Sequence, residues 1–181
     1  MLKLLSSVLV GTVLWGSPSS SLEIIVNNKC NWFMDIYNHD IYKVGGRGFS
    51  HVCKLAPRTG SCKIVIDRPV HNSGLIKNVL GEQATLFEFT KNEKGVWYDI
   101  SVIPPGSGVC YSWQECFNKS KKRGFNDALN VIVKQPAGAM NNRCKSLYCR
   151  HEQCGDAYLW PFDDTKTYFC NIGTTFTLDW C

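Results

Sequence analysis

The sequence predicts an all-β protein: a flattened β-sandwich or barrel stapled by about five disulfides. Three observations predict it. Short apolar segments rich in β-branched and aromatic residues recur along the 181 residues, each bounded by turn formers. No segment sustains the 3.6-residue periodicity of an amphipathic helix. Ten cysteines are present, about 6% of the chain, below the roughly 8–10% of scaffolds held mainly by disulfides, so bridges supplement a real core. With 44% hydrophobic and 19% charged residues the composition is that of a globular chain and excludes a disordered one. The net charge of +5 is modest and scattered, unlike the concentrated basic face of a nucleic-acid binder.

The elements follow in order. Residues 1–21, MLKLLSSVLVGTVLWGSPSSS, read as a signal peptide. Lys3 is the positive n-region, and Leu4 to Trp15 is an apolar stretch shorter than the roughly 20 residues that span a bilayer. Ser19 and Ser21 fit the small-residue cleavage positions, so residues 22–181 are expected as one mature, secreted domain without a membrane anchor. LEIIVNN (22–28) and WFMDIYN (32–38) are strand-like, as is SCKIVID (61–67) after Pro57 and Gly60. TLFEFT (85–90) and VWYDISVI (96–103) flank Asn92-Glu93-Lys94-Gly95, a hairpin turn. ALNVIVK (128–134), KTYFC (166–170) and TTFTLDW (174–180) complete the strands, and SWQECFNKS (112–120) holds the best candidate for a short helix. There are no internal repeats and no linker.

All ten cysteines lie in the expected mature chain. An even number in an oxidising compartment implies five bridges. A zinc site is disfavoured, because no C-x-x-C pair is present and His39, His51, His71 and His151 lack metal-ligand spacing. No cofactor or metal is expected. Asn118-Lys119-Ser120 is an N-glycosylation sequon. Between 104 and 124, Pro104-Pro105-Gly106-Ser107-Gly108 forms a turn, Cys110 and Cys116 are close enough to bridge, and Lys119, Lys121, Lys122 and Arg123 make a basic tip. That tip reads either as a solvated loop or as a contact surface for an acidic partner or anionic polysaccharide.

Common enzyme motifs are absent: no G-x-S-x-G, P-loop, H-E-x-x-H or dinucleotide fingerprint. An even cysteine count leaves no free thiol nucleophile. The remaining chemistry is that of carboxylates. Glu88 and Asp99 stand on the two arms of the predicted hairpin. Glycoside hydrolysis needs two carboxyl groups roughly 5–9.5 Å apart across one bond. Alternation sends Trp97 and Asp99 to one face and Tyr98 and Ile100 to the other. Glu88 and Asp99 share a face only in the right register, and the alternative to a functional pair is that both are ordinary solvent-face residues of a strand pair. Trp97, Tyr98, Tyr111, Trp113, Trp160 and Phe162 are candidates for carbohydrate stacking or for core packing.

The ordered motifs LEIIVNNKC, TLFEFT with WYDIS, Gly124-Phe125-Asn126, and above all CGDAYLWPFDDTKTYFC followed by GTTFTLDWC resemble the thaumatin-like family over 22–181. The resemblance implies bridges Cys30–Cys181, Cys144–Cys170 and Cys149–Cys154, leaving Cys53–Cys62 and Cys110–Cys116 as local pairs. Only residues 150–153 stand where large plant members carry a disulfide-rich second domain, so the chain resembles the small microbial and fungal secreted form. The family's acidic cleft maps onto Glu88, Asp99 and Asp156. Its middle aspartate falls at Pro104, and Arg68 is the nearest substitute for its arginine, whose strict position falls near Ile64. The implied groove is therefore Arg68, Glu88, Trp97, Asp99 and Asp156, with Glu88 and Asp99 as the candidate catalytic pair. The resemblance implies a monomer that binds β-1,3-glucan or a related cell-wall polysaccharide, with an antifungal or host-interaction role. The alternatives are a weak endo-β-1,3-glucanase, and a protein-interaction module such as an inhibitor of wall-degrading enzymes.

Overall fold

The computed structural model describes residues 21–40, 48–67, 72–138 and 141–181. The expected signal peptide, Ser21 apart, lies outside the described residues, as do Arg68 and His71. In chain order the first strands are β1 (Leu22–Asn28), β2 (Met34–Asp40), β3 (Ser50–Leu55), β4 (Ser61–Ile66), β5 (Asn72–Lys77), β6 (Leu86–Lys91) and β7 (Gly95–Ser101). The helix α1 (Trp113–Ser120) follows, then β8 (Leu129–Lys134), β9 (Leu147–Cys149), β10 (Ala157–Tyr158), a 3-10 turn (Asp164–Lys166), β11 (Tyr168–Asn171) and β12 (Thr175–Trp180).

These strands form two open sheets, the mostly-β, disulfide-stapled sandwich that the sequence predicts. One runs β4-β1-β12-β8-β9; the other runs β10-β7-β6-β5-β2-β3, with β11 also on β7. Alternation sets the inner faces. In β1, Leu22, Ile24 and Val26 are buried, and in β12, Phe176, Leu178 and Trp180. The second sheet contributes Ile36, Ile76, Phe87, Tyr98 and Ile100 to the same core. The Phe176 ring meets Phe87 at 5.7 Å and Tyr98 at 4.9 Å between centroids, so the two sheets pack face to face. Tyr98 is buried yet satisfied: its hydroxyl donates to the Lys145 carbonyl and accepts from the Lys145 amide at 2.9 Å. Burial pushes its phenol up to about 12.

β1 and β12 pair in parallel, which joins the two ends of the described chain side by side. Cys30–Cys181 locks that closure across 151 residues of sequence. Cys53–Cys62 ties β3 to β4, the edge strands of the two sheets. Cys144–Cys170 fastens the segment before β9 to β11, Cys149–Cys154 closes the turn after β9, and Cys110–Cys116 anchors α1 to the preceding loop. No cysteine is free.

The structure adds strands that the sequence pattern did not announce. β5 begins Asn72-Ser73-Gly74, residues that read as a turn, and β3 shows little alternation because most of its side chains are exposed. Two boundaries also move. Trp32 and Phe33 lie exposed ahead of β2, and β11 starts only at Tyr168, after the 3-10 turn. The β6–β7 turn is held by Asn92, whose side-chain oxygen accepts from the Lys94 and Gly95 amides at 2.9 and 3.0 Å. Gly95 is required here: a Cβ would sit 2.0 Å from the Cys170 carbonyl oxygen and push β11 off β7.

Bridge length orders the expected losses. Replacing Cys30 and Cys181 by serine should lower unfolding free energy by about 4–5 kcal/mol, against about 2 kcal/mol for the Cys149/Cys154 pair. Parallel denaturant titrations of the two double variants test this ranking.

Candidate functional site

The β6–β7 register sets Glu88 directly opposite Asp99 and Thr90 opposite Trp97. Phe87, Phe89, Tyr98 and Ile100 turn into the core, so Glu88, Thr90, Trp97 and Asp99 occupy the outer face of the sheet. β5 extends both rows, placing Leu75 opposite Glu88 and Ser73 opposite Thr90. The Ser73 and Thr90 hydroxyls lie 2.8 Å apart. β11 extends the second row on the far side, where Phe169 pairs with Trp97. Thr167, just ahead of β11, closes that end of the site. The result is a cleft of about 320 Å³ that contains Glu88, Trp97 and Asp99 together with Ser73, Thr90 and Thr167.

Its electrostatics are acidic. No lysine, arginine or histidine is found among the described lining residues. Burial raises the carboxyl of Glu88 above its ordinary range. Burial, and then the charge of Glu88, push Asp99 up to about 8. Asp99 Oδ1 is enclosed without a hydrogen-bond partner. Two carboxyl groups in this position cannot both ionise cheaply, so at neutral pH the pair retains a proton. Such a pair can donate one hydrogen bond to a ligand oxygen and accept others from hydroxyls. Tyr158 stands at the same end of the site. Burial first, with the charges of Asp99 and Asp164 adding to it, raises its phenol, and its hydroxyl contacts Thr167.

Trp97 is held from two sides. Phe169 packs against it at 4.9 Å, tilted by 52°, and the Arg143 guanidinium lies over its ring at 5.4 Å. Arg143 is therefore the cation placed at the edge of this site.

Comparison with known proteins gives the family. No family model matches the chain. An alpha-amylase/trypsin inhibitor of Zea mays is 31% identical over 151 residues, 68% of this chain and 70% of that protein. A thaumatin-like protein of Oryza sativa subsp. japonica is 31% identical over 100 residues, 54% of this chain and 40% of the relative. The solved thaumatin-like xylanase inhibitor TLXI superposes with a TM-score of 0.52, covering 91% of this chain and 99% of that one at 14% identity, a likeness of fold. The chain belongs to the thaumatin-like family. It spans less than half the length of the rice relative and of a similar thaumatin-like protein of Avena sativa.

Of the residues that the resemblance singled out, the structure brings Glu88, Asp99 and Trp97 together. Asp156 is not among the lining of this thaumatin-like cleft: its carboxylate accepts from Lys145 Nζ at 3.4 Å and from the Tyr148 amide at 3.1 Å. Arg68 lies outside the described residues. Sequence reasoning missed Ser73, Thr90, Thr167 and Arg143. Thr90 was within reach, since it is two residues from Glu88 on one strand and must share its face. Ser73 was hidden with β5, and Thr167 and Arg143 come from segments joined only by the tertiary fold.

Asp99 has a consequence for stability. Its carboxyl ionises at about 4 in an unfolded chain but near 8 in the fold. Between those values the folded state binds a proton that the unfolded state has lost. The contribution of Asp99 to stability is therefore fullest below about pH 4 and declines as pH rises towards 8. Asp99→Asn should flatten this decline and raise the melting temperature at pH 8 by roughly 2–4 °C, as a change on the order of 1 kcal/mol does in a domain of this size. Calorimetry of both proteins from pH 4 to pH 8 is the measurement; a steeper decline in the variant would contradict it.

Proposed function

We propose that the chain is a secreted, monomeric thaumatin-like protein whose cleft binds β-1,3-glucan or a related cell-wall polysaccharide in a defence or host-interaction role. One observation carries the reading. The Glu88–Asp99 pair stands, without a cation in the described lining, on the floor of a cleft that also offers the Ser73, Thr90 and Thr167 hydroxyls. Neutral sugars present many hydroxyls of both donor and acceptor character, and a pair sharing one proton matches both. Trp97 adds apolar surface for a sugar ring. Secretion fits the leader-like residues 1–21 and ten paired cysteines. No helix among the described residues is long and apolar enough to cross a membrane. Asn118, exposed on α1, is the acceptor proposed for an N-linked glycan.

A second reading has its own support. The maize relative is an inhibitor of alpha-amylase and trypsin, and it aligns over most of its length. Under that reading the chain binds a hydrolytic enzyme. Catalysis by the chain itself would use Glu88 as acid and Asp99 as base or nucleophile, the requirement for endo-β-1,3-glucanase action.

The mature protein should co-sediment with insoluble β-1,3-glucan, and the double variant Glu88→Ala, Asp99→Ala should lose about tenfold in affinity, as expected when hydrogen-bonding groups aimed at a ligand are removed. Undiminished binding by the double variant would remove the cleft from the reading. Inhibition of a hydrolase by native protein and double variant alike would favour the second reading.

A further inference from the structure

A second concavity, sharing no lining residue with the acidic cleft, lies where the end of α1 meets the loop after β5. Phe117, Pro105, Lys121, Lys122, Arg123 and Glu82 line it, with a volume of about 410 Å³. Its charge is the reverse of the cleft's. Lys121, Lys122 and Arg123 are all exposed. Lys122 Nζ meets one Glu82 carboxylate oxygen at 2.5 Å, and Arg123 Nε meets Glu152 at 3.6 Å. Lys121, the left-handed C-cap of α1, has no acidic partner among the described residues.

The walls are fixed in place. Cys110–Cys116 and the Ser112 cap hold α1, and Lys119 donates to the Val109 carbonyl at 2.6 Å. The opposite wall is pinned by Gln83 donating to the Phe125 carbonyl at 2.7 Å and by the Thr85 amide donating to Asn126 at 2.7 Å. Phe117 is oriented by Trp113, stacked on it at 5.1 Å with only 7° between planes. A groove with fixed walls loses little entropy on binding.

We propose that this groove binds uronate residues of an acidic polysaccharide. The Glu82 carboxylate on Lys122 shows where a sugar carboxylate would sit. Glu82 is on the surface, its side chain 70% exposed, and its pair with Lys122 is of the kind worth ~0–1 kcal/mol, so a ligand displaces it readily. Lys121 then holds the same or a neighbouring carboxylate. The partly buried Phe117 ring, which lines the groove, supplies the flat apolar surface that a pyranose face needs and that an acidic peptide does not. The site does not depend on the glucan reading of the cleft, and the two are tested by different polymers.

The test is binding of the mature protein to 1,4-linked galacturonate oligomers, with uncharged 1,4-linked galactan and polyglutamate as comparison polymers. Galacturonate should bind, and more weakly as salt is raised; galactan and polyglutamate should bind at least about tenfold more weakly, lacking the charge-assisted contact and the stacking contact respectively. Lys121→Gln with Lys122→Gln should cost about tenfold or more. Phe117→Leu, which keeps apolar bulk, should cost about threefold for galacturonate and nothing for polyglutamate. Glu82→Gln should tighten galacturonate binding by about twofold or more, while Glu93→Gln, the same charge change in the β6–β7 turn, should leave it within that margin. A gain by Glu82→Gln cannot arise from misfolding. Absence of galacturonate binding would overturn the proposal. So would equal binding of polyglutamate with no response to Phe117→Leu, which would mark a patch that reads charge alone.

Discussion

Phe87 and Phe89 on one strand, and Tyr98 and Ile100 on the next, can all reach the core only when β6 and β7 pair so that Glu88 and Asp99 share the outer face, and in the register observed the two stand directly opposite. The core thus dictates the site. A slip of either strand by one residue would expose that strand's apolar side chains and drive inward either Glu88 or the Trp97 and Asp99 pair, at a cost of about 1.5–3 kcal/mol for each large apolar side chain moved to water. Phe176 of the other sheet sits against both Phe87 and Tyr98 and reads that register from across the core. The acid pair is the outer side of a decision made on the inner side.

The rest of the fold supports the same strand pair. β5 and β11 flank it, β5 supplying Ser73 to the cleft and β11 setting Phe169 against Trp97, although β5 is adjacent in sequence and β11 comes only after α1, β8, β9 and β10. β11 can approach because Gly95 leaves room for the Cys170 carbonyl, and Cys144–Cys170 holds it there. The same bridge fixes the segment carrying Arg143 and Lys145. Arg143 then covers Trp97, and the Lys145 backbone satisfies the buried Tyr98 hydroxyl. One covalent tie near the end of the chain therefore positions both the cation beside the site and the hydrogen bonds beneath it.

The sandwich was legible because its long strands alternate cleanly: LEIIVNN, TLFEFT and TTFTLDW each bury every second residue. The short helix falls within SWQECFNKS (112–120), the segment singled out as the best helix candidate. Strands whose residues do not alternate in polarity were not legible. Ser50–Leu55 is exposed along most of its length, and Asn72-Ser73-Gly74 has turn composition but is held as a strand by pairing to β2 and β6. In the site, the face shared by Trp97 and Asp99 followed from period two alone, whereas their partnership with Glu88 needed a register that only the core fixes. Thr167, Tyr158 and Arg143 carry no local signal, because long-range pairing alone brings them there.

The two concavities divide the charge of the molecule. Two carboxyl groups gather in a cleft with no cation among its described lining residues, while cations outnumber the single acid lining the groove at the end of α1. The acidic arrangement works against folding, since burying two carboxyl groups side by side raises both and favours the unfolded chain as pH rises. The core alone has no need of it: an amide at Asp99 would fill the same space without the charge. Five disulfides constrain the unfolded chain and offset that cost. The bridges therefore work in the opposite direction to the pair, lowering the entropy of the unfolded chain while two buried carboxyl groups sit side by side on an otherwise ordinary sheet face.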